Sequence, residues 1–360
     1  TAFVLSVVLM PLAIYVFRRL HILDDVKPDK LHHKVVPRGG GVVMFLAFAT
    51  AVLLPGYRSS GFNGILIGGF ICTLVGAIDD FTGGKIRGIY KLGTLVMATL
   101  VLAHFGVRLN IFSWAPLDVT FTILWIVGVT SAINGIDNMD GLAGGIGAIV
   151  ATVYLFIAIQ VWSMSRTETT LSWFGMLSAG LIGTSLGFLV YNFKPAKIFM
   201  GDSGSFFLGY TLAALGVMGE WTSDQLVSCT IPVLLLGVPL FDFGYVIIAR
   251  IITGETRTFA SVINHCAMDH LSHRLLWMGF SQRQAVLFIY LLCVVLGVSG
   301  ILVRNSANHL DSALGILQGL AMFAVVVVLM RIAHRRNGKV TMFRIQTAGI
   351  ETAHSGEDAK

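Results

Sequence analysis

Five aspartates stand out in a 360-residue chain that has only 19 acidic residues. Asp79 and Asp80 close one apolar run. Asp137 and Asp140 follow another, inside Asn134-Gly-Ile-Asp137-Asn-Met-Asp140-Gly, and Asp202 sits in Phe199-Met-Gly-Asp202-Ser-Gly-Ser ahead of a third. Asp137 and Asp140, three apart, share one face if their segment is helical. Carboxylates joined by the Asn134 carboxamide are hard oxygen donors, which suit Mg²⁺ better than Zn²⁺. Bound magnesium keeps waters and takes substrate phosphates as its remaining ligands, so the pattern points to phosphate chemistry through a metal bridge. Taken singly, Asp202 or Asp140 reads equally well as a helix cap, accepting orphan N–H groups. Five acids gathered on one side of the apolar runs do not.

Basic residues accompany them. Lys30, His32, His33, Lys34 and Arg38 crowd one segment that ends in Gly39-Gly40-Gly41. Lys85 and Arg87 follow the acidic pair, and His270, His273 and Arg274 form an HxxHR cluster. A lone histidine is usually incidental. Several basic groups on the acids' side match a diphosphate, whose charge needs compensation on both flanks.

The elements that must position these residues are set by composition. Apolar residues make up 55% of the chain and charged residues 12%, against roughly 25% charge in a soluble domain. Mean hydropathy is +0.81. A disordered chain, a disulfide scaffold and a soluble two-domain enzyme are excluded; the expected fold is an all-α polytopic membrane protein. Eleven apolar runs approach the roughly 20 residues that a spanning helix needs: 1–17, 39–55, 62–78, 91–106, 118–133, 142–161, 171–190, 204–219, 229–250, 284–303 and 310–330. The transmembrane domain is expected over 1–335, and the polar 336–360 reads as a disordered cytoplasmic tail.

Charge tests the orientation. With the N-terminus outside, the loops on the cytoplasmic side hold 21 of the 25 Lys and Arg residues, and only Arg58, Arg108, Arg166 and Arg304 fall on the other side. That is the positive-inside pattern, with the C-terminus and all five acids facing the cytosol in an inner or plasma membrane. Cations that flank spans favour anionic lipid headgroups and anionic substrates as partners, and no nucleic acid.

Together these segments resemble the polyprenyl-phosphate N-acetylhexosamine-1-phosphate transferases, the membrane enzymes of glycosyltransferase family 4. The resemblance runs from about residue 24 to 284. It rests on Lys27-Pro-x-x-x-x-His33-x-x-x-Pro37-x-x-Gly40-Gly41, Asp79-Asp80 with Lys85-Ile-Arg87, Asn134-x-x-Asp137-x-x-Asp140-Gly-Leu, Tyr191-Asn192 before Phe199-Met-Gly-Asp202-x-Gly-Ser, Pro239-Leu-x-Asp242, and His270-x-x-His273. Each motif is weak alone; six in order are specific.

The resemblance implies transfer of a sugar 1-phosphate from a UDP-N-acetylhexosamine to a polyprenyl phosphate lipid, with release of UMP, as the first membrane step of cell-envelope polysaccharide synthesis. It implies ten or eleven helices around a cytosol-facing cleft, often as a homodimer. It places Mg²⁺, with Mn²⁺ able to substitute, on Asn134 and Asp202. Asp79 and Asp80 become the acids at the lipid phosphate, Lys85 a phosphate contact, and Asp140, Asn192 and Phe199 the uridine site. Asp137 joins the catalytic acids, and His33, Arg38, His270, His273 and Arg274 the substrate-binding groups. The pentapeptide branch shows three consecutive histidines that this chain lacks, which favours GlcNAc-1-phosphate transfer, with the phospho-MurNAc-pentapeptide translocase as the alternative. A proton-coupled transporter or lipid flippase is the reading from another class. Its acids belong near the bilayer midplane, where only Asp242, about thirteen residues into the run 229–250, could lie.

Overall fold

A computed structural model describes residues 1–24, 35–56, 59–112, 114–165, 169–219, 221, 225–254, 270–306 and 309–332. The proposed tail 336–360 lies outside the described residues. Helix α1 (Ala2–Arg19) leads to a short antiparallel pair, β1 (Leu23–Asp24) and β2 (Val36–Pro37), in register Leu23↔Pro37. Then come α2 (Gly40–Leu53), α3 (Ser60–Thr82), α4 (Gly88–His104), α5 (Ala115–Ile136), α6 (Leu142–Ser165) and α7 (Thr169–Asn192). The remainder are α8 (Gly201–Met218), α9 (Gln225–Leu235), α10 (Gly237–Thr253), the short α11 (Leu271–Trp277), α12 (Gln282–Ser306) and α13 (His309–Ile332).

Each of the eleven apolar runs is helical, because in lipid a backbone satisfies its own N–H and C=O groups only in a helix or a closed barrel. One run is not straight: 229–250 is divided between α9 and α10, which meet at 76°. Pro232, inside α9, lacks the N–H for its turn and crowds the preceding one. Seven helices are long and apolar enough to cross a membrane, or eight if α9 and α10 count as one span. Helices α2 and α4, at 14 and 17 residues, are shorter than a span of about 20 residues.

The unusual member is α8. Every residue from Ser203 to Gly216 is buried, so it is a core helix with α2, α3 and α5 packed around it. Lipid-facing apolar side chains lie instead on outer helices, among them Leu12, Leu291 and Leu317. Buried hydroxyls are satisfied locally. Thr73, Thr99, Thr130 and Thr211 each donate to the carbonyl four residues back, which removes an orphan donor from an apolar setting. Bonds between helices are fewer: Trp125 Nε1 donates to Ala213 O, and Thr184 Oγ1 to Met44 O.

The crossing of α2 over α8 depends on two glycines. A Cβ on Gly41 would lie 1.9 Å from Gly204 N, backbone that cannot yield, whereas a Cβ on Gly93 would meet nothing within 4 Å. Small residues at such crossings let helix backbones touch. Gly41→Ala is therefore expected to cost about 1–3 kcal/mol through overpacking, read as a clear drop in Tm of the detergent-purified protein. Gly93→Ala should leave Tm nearly unchanged. Equal Tm values for the two variants would mean that the crossing is loose.

Helices α3 and α4 form an antiparallel hairpin. Ser60 Oγ donates to Phe105 O at one end, and Lys91 meets Asp79 at the other. The hairpin thereby carries its charged residues to the same end of the bundle as the first turn of α8.

Candidate active site

Four helix ends meet there. Asp79 and Asp80 occupy the last turn of α3, Lys91 the first turn of α4, Asn134 the last turn of α5 and Asp202 the first turn of α8. Arg38 joins from the segment between β2 and α2.

Asp80 is 2% exposed and has its oxygens fully engaged. Its Oδ1 accepts from Arg38 Nη2 at 2.8 Å, Arg38 Nε at 3.1 Å and Asp202 N–H at 3.0 Å. Its Oδ2 accepts from Ser203 N–H at 3.1 Å and Ser203 Oγ at 2.7 Å. The carboxylate thus caps α8 from outside the helix, where the positive end of the helix dipole favours an anion. Gly201 makes room for it: its φ is +70°, and a Cβ there would fall 2.3 Å from Asp80 Oδ2. Burial alone would lower the pKa of Arg38, but Asp80, with Asp202 and Asp24 behind it, raises it above the ordinary guanidinium value.

Asp79 is used differently. Oδ1 accepts from Ile86 N–H at 2.8 Å, closing the Gly83-Gly84 turn, and Oδ2 lies 2.7 Å from Lys91 Nζ. The same ammonium stands 2.5 Å from Asp202 Oδ2. Asp202 Oδ1 accepts from Asn134 Nδ2 at 3.1 Å, and Asn134 Nδ2 also donates to Ser205 Oγ at 2.8 Å. Three carboxylates (Asp79, Asp80, Asp202) face two cations (Arg38, Lys91), an imbalance that favours a further positive charge.

Asp137 adds to it. Burial, then the nearby charges of Asp202 and Asp80, push its carboxyl up to about 7. Its folded value lies above that of the unfolded chain, so the native state binds the extra proton. Stability is then lost as pH rises from the ordinary carboxylate range through about 7. The Tm of chelator-treated protein is expected to fall more steeply between about pH 5 and about pH 8 in wild type than in Asp137→Asn. Parallel curves would mean that Asp137 is ionised throughout.

The other expected residues divide. Asn192 is 4% exposed, with Oδ1 accepting from Gly141 N–H at 2.8 Å and Nδ2 donating to Ile198 O at 2.9 Å. Its carboxamide ties the Asp137–Gly141 turn to the α7–α8 connection. Asp140 Oδ2 accepts from Ala196 N–H and reinforces the same tie. Phe199 holds β2 and α2 through its backbone, donating to Pro37 O and accepting from Gly40 N–H. His270 Nδ1 stands 2.8 Å from Asp242 Oδ2, and Leu271 N–H donates to Asp242 Oδ1 at 2.7 Å. Asp242 therefore caps α11 and orients His270, whose ring lies against Gly135, next to Asn134. The bend at Leu236 places Asp242 in the second turn of α10. His273 and Arg274 are buried on α11, with the Arg274 guanidinium over the Tyr245 and Trp277 rings. His33 lies outside the described residues.

Lys85 is not the lysine that sits between the acids. It is exposed in the turn after α3, and the ammonium between the acids belongs to Lys91. Proximity to the acidic pair in sequence favoured Lys85, but the Gly83-Gly84 turn sends the chain away before α4 brings it back. The missed signal was a lysine in the first turn of the apolar run that pairs with α3. Ser203 and Ser205, which bond Asp80 and Asn134, were equally unmarked beyond their place in the motif.

A divalent cation fits Asn134 and Asp202 by donor chemistry. Both offer hard oxygens once the carboxamide turns its oxygen inward. Among the described residues no group of three or more His, Cys, Asp or Glu could hold a metal. Two protein ligands, with water and substrate phosphate as the rest, is the arrangement typical of Mg²⁺ rather than Zn²⁺.

The family-model for glycosyl transferase family 4 matches residues 62–220. The chain is 33% identical over 355 residues, 94% of its length and 92% of the relative's, to the probable undecaprenyl-phosphate N-acetylglucosaminyl 1-phosphate transferase of Bacillus subtilis. It is 29% identical over 347 residues, 87% and 85% of the two chains, to the decaprenyl-phosphate N-acetylglucosaminephosphotransferase of Mycobacterium leprae. To the phospho-N-acetylmuramoyl-pentapeptide-transferase of Desulforudis audaxviator it is 30% identical over 342 residues, 83% and 95% of the two chains.

Proposed function

Because the chain belongs to glycosyl transferase family 4, we propose that it transfers N-acetylglucosamine 1-phosphate from a UDP-sugar to a polyprenyl phosphate, releasing UMP. An oxygen of the lipid phosphate attacks the β-phosphorus of the donor, and the bond from that phosphorus to the α–β bridging oxygen breaks. The observation that carries this reading is the Lys91 ammonium shared between Asp79 and Asp202, with Asn134 on the far side of Asp202.

In this reading Asn134 and Asp202 would hold a Mg²⁺ ion, which would neutralise diphosphate charge and polarise the phosphorus under attack. Lys91 supplies a second, mobile positive charge for the oxygens that become more anionic as the bridge breaks. Asp79 keeps that ammonium oriented. Asp80 and Arg38 fix the start of α8, so that Asp202 meets its ligand without first reorganising. The Asp137–Gly141 turn, held by Asn192, forms the wall where the nucleotide would rest. The orientation with N-terminus outside and site in the cytosol, drawn from the Lys and Arg distribution, places these groups where UDP-sugars are found.

Membranes from expressing cells, supplied with polyprenyl phosphate, are expected to release UMP from UDP-GlcNAc. Release should stop in chelator and return with Mg²⁺ or Mn²⁺. Release from the muramoyl-pentapeptide nucleotide instead would move the chain to the other branch. Release from neither donor would remove the transferase reading.

A further inference from the structure

Asp242 is a buried carboxylate to which the transfer described above gives no task. It is 1% exposed, in the second turn of α10. Both of its oxygens serve the start of α11: Oδ1 accepts from Leu271 N–H at 2.7 Å, and Oδ2 lies 2.8 Å from His270 Nδ1. A helix cap needs only the first of these bonds. The second goes to a side chain, and a carboxylate can only accept, so Nδ1 carries the proton. The bond made by one ring nitrogen sets the state of the other. Nε2 is then the acceptor of the neutral ring, and among the described residues nothing donates to it.

Other contacts fix where that nitrogen stands. A Cβ on Gly135 would lie 3.2 Å from His270 Cε1 and 3.8 Å from Nε2, so this edge of the ring faces a residue that offers no side chain. Ser272 Oγ donates to Asn138 Oδ1 at 2.6 Å, and Asn138 Nδ2 donates to Gly135 O at 2.9 Å. The Arg274 guanidinium lies over Tyr245 of α10. The start of α11 is thereby pinned to α10 on one side and, on the other, to the segment that begins at Asn134. The His270 side chain nevertheless keeps 13% exposure, so a ligand can still reach the ring.

We propose that Asp242 is a positioning residue for the transfer, acting through His270: it holds the Nδ1–H form, so that Nε2 accepts a hydroxyl or amide hydrogen of the sugar donor beside Asn134. This rests on the transferase reading given above, in which an N-acetylated amino sugar carries both kinds of hydrogen. A ring with its proton on Nε2 would set donor against donor.

Asp242→Asn separates the two tasks of the carboxylate. Leu271 N–H cannot change its role, so the carboxamide oxygen stays with it and the cap survives. The carboxamide N–H then faces His270 Nδ1, which must become an acceptor, and the ring proton moves to Nε2. In UMP-release assays on the purified chain, kcat/KM for UDP-GlcNAc is expected to fall about tenfold or more, with KM for polyprenyl phosphate within about threefold of wild type and Tm little changed. Adding His270→Ala to Asp242→Asn should give the rate of His270→Ala alone, because residues that act as a unit are not additive. A carboxylate that only capped α11 would lower the rate again in that background, which would overturn the proposal. Nitrogen NMR of labelled histidines gives a readout apart from activity. The signals that vanish in His270→Ala should report Nδ1–H in wild type and Nε2–H in Asp242→Asn; Nε2–H in wild type would also overturn the proposal. Wild-type release with Asp242→Asn within about twofold of it would sink this role alone. No release from wild type would remove the transferase reading and this role together.

Discussion

Asp202→Asn is expected to lower turnover by about 100-fold or more at saturating Mg²⁺, with little change in Tm. One side chain has three tasks here: it neutralises Lys91 at 2.5 Å, anchors Asn134 at 3.1 Å and supplies the anionic oxygen of the proposed metal pair. Asparagine keeps the shape but removes the charge. The loss should resemble that of an electrostatic group aimed at the transition state, about 10²–10³-fold. Folding should tolerate the change. Asp202 does not cap its own helix, a task that Asp80 performs from α3. UMP release under single-turnover conditions is the measurement. A variant that retains a tenth of the wild-type rate would reduce Asp202 to a structural partner of Lys91.

Lys91→Met should be as damaging, about 100-fold or more, while Lys85→Met should stay within about threefold of wild type. The first removes a cation held between two carboxylates, and in Lys91→Met Asp79 is left buried with only the Ile86 N–H to balance it. An uncompensated buried charge is expensive, so some loss of Tm is expected as well. Lys91→Arg, which keeps the charge, separates the two effects: it should recover Tm more fully than rate, because a planar guanidinium does not reproduce a compact ammonium. Equal rates for Lys85→Met and Lys91→Met would mean that the ammonium between Asp79 and Asp202 plays no part in turnover.

Much of this was legible in the chain. The apolar runs announced the helices because lipid leaves the backbone few alternatives, and the five aspartates lie at one end of the bundle. Asp80 and Asp202, far apart in sequence, meet at one helix start. What escaped is what three-dimensional return decides. Lys91 outranks Lys85 because a hairpin brings it back. Asn192 ties Gly141 to Ile198 through its carboxamide, a contact that spacing alone does not show. Asp242 caps α11 because its run is bent at Leu236. In each case spacing identified the residue type correctly and could not tell a ligand contact from an internal tie.

The five hydrogen bonds on Asp80 have a mechanical consequence. They weld the end of α3, the start of α8 and Arg38 into one block, so Asp80 and Asp202 cannot separate without breaking a buried network. Admission and release of a long lipid and a nucleotide must then be borne by parts outside this block, the start of α4 that carries Lys91 and the start of α11 among them. The protein is built as an anvil with moving tongs, and substitutions that change its speed without touching its acids should map to the tongs.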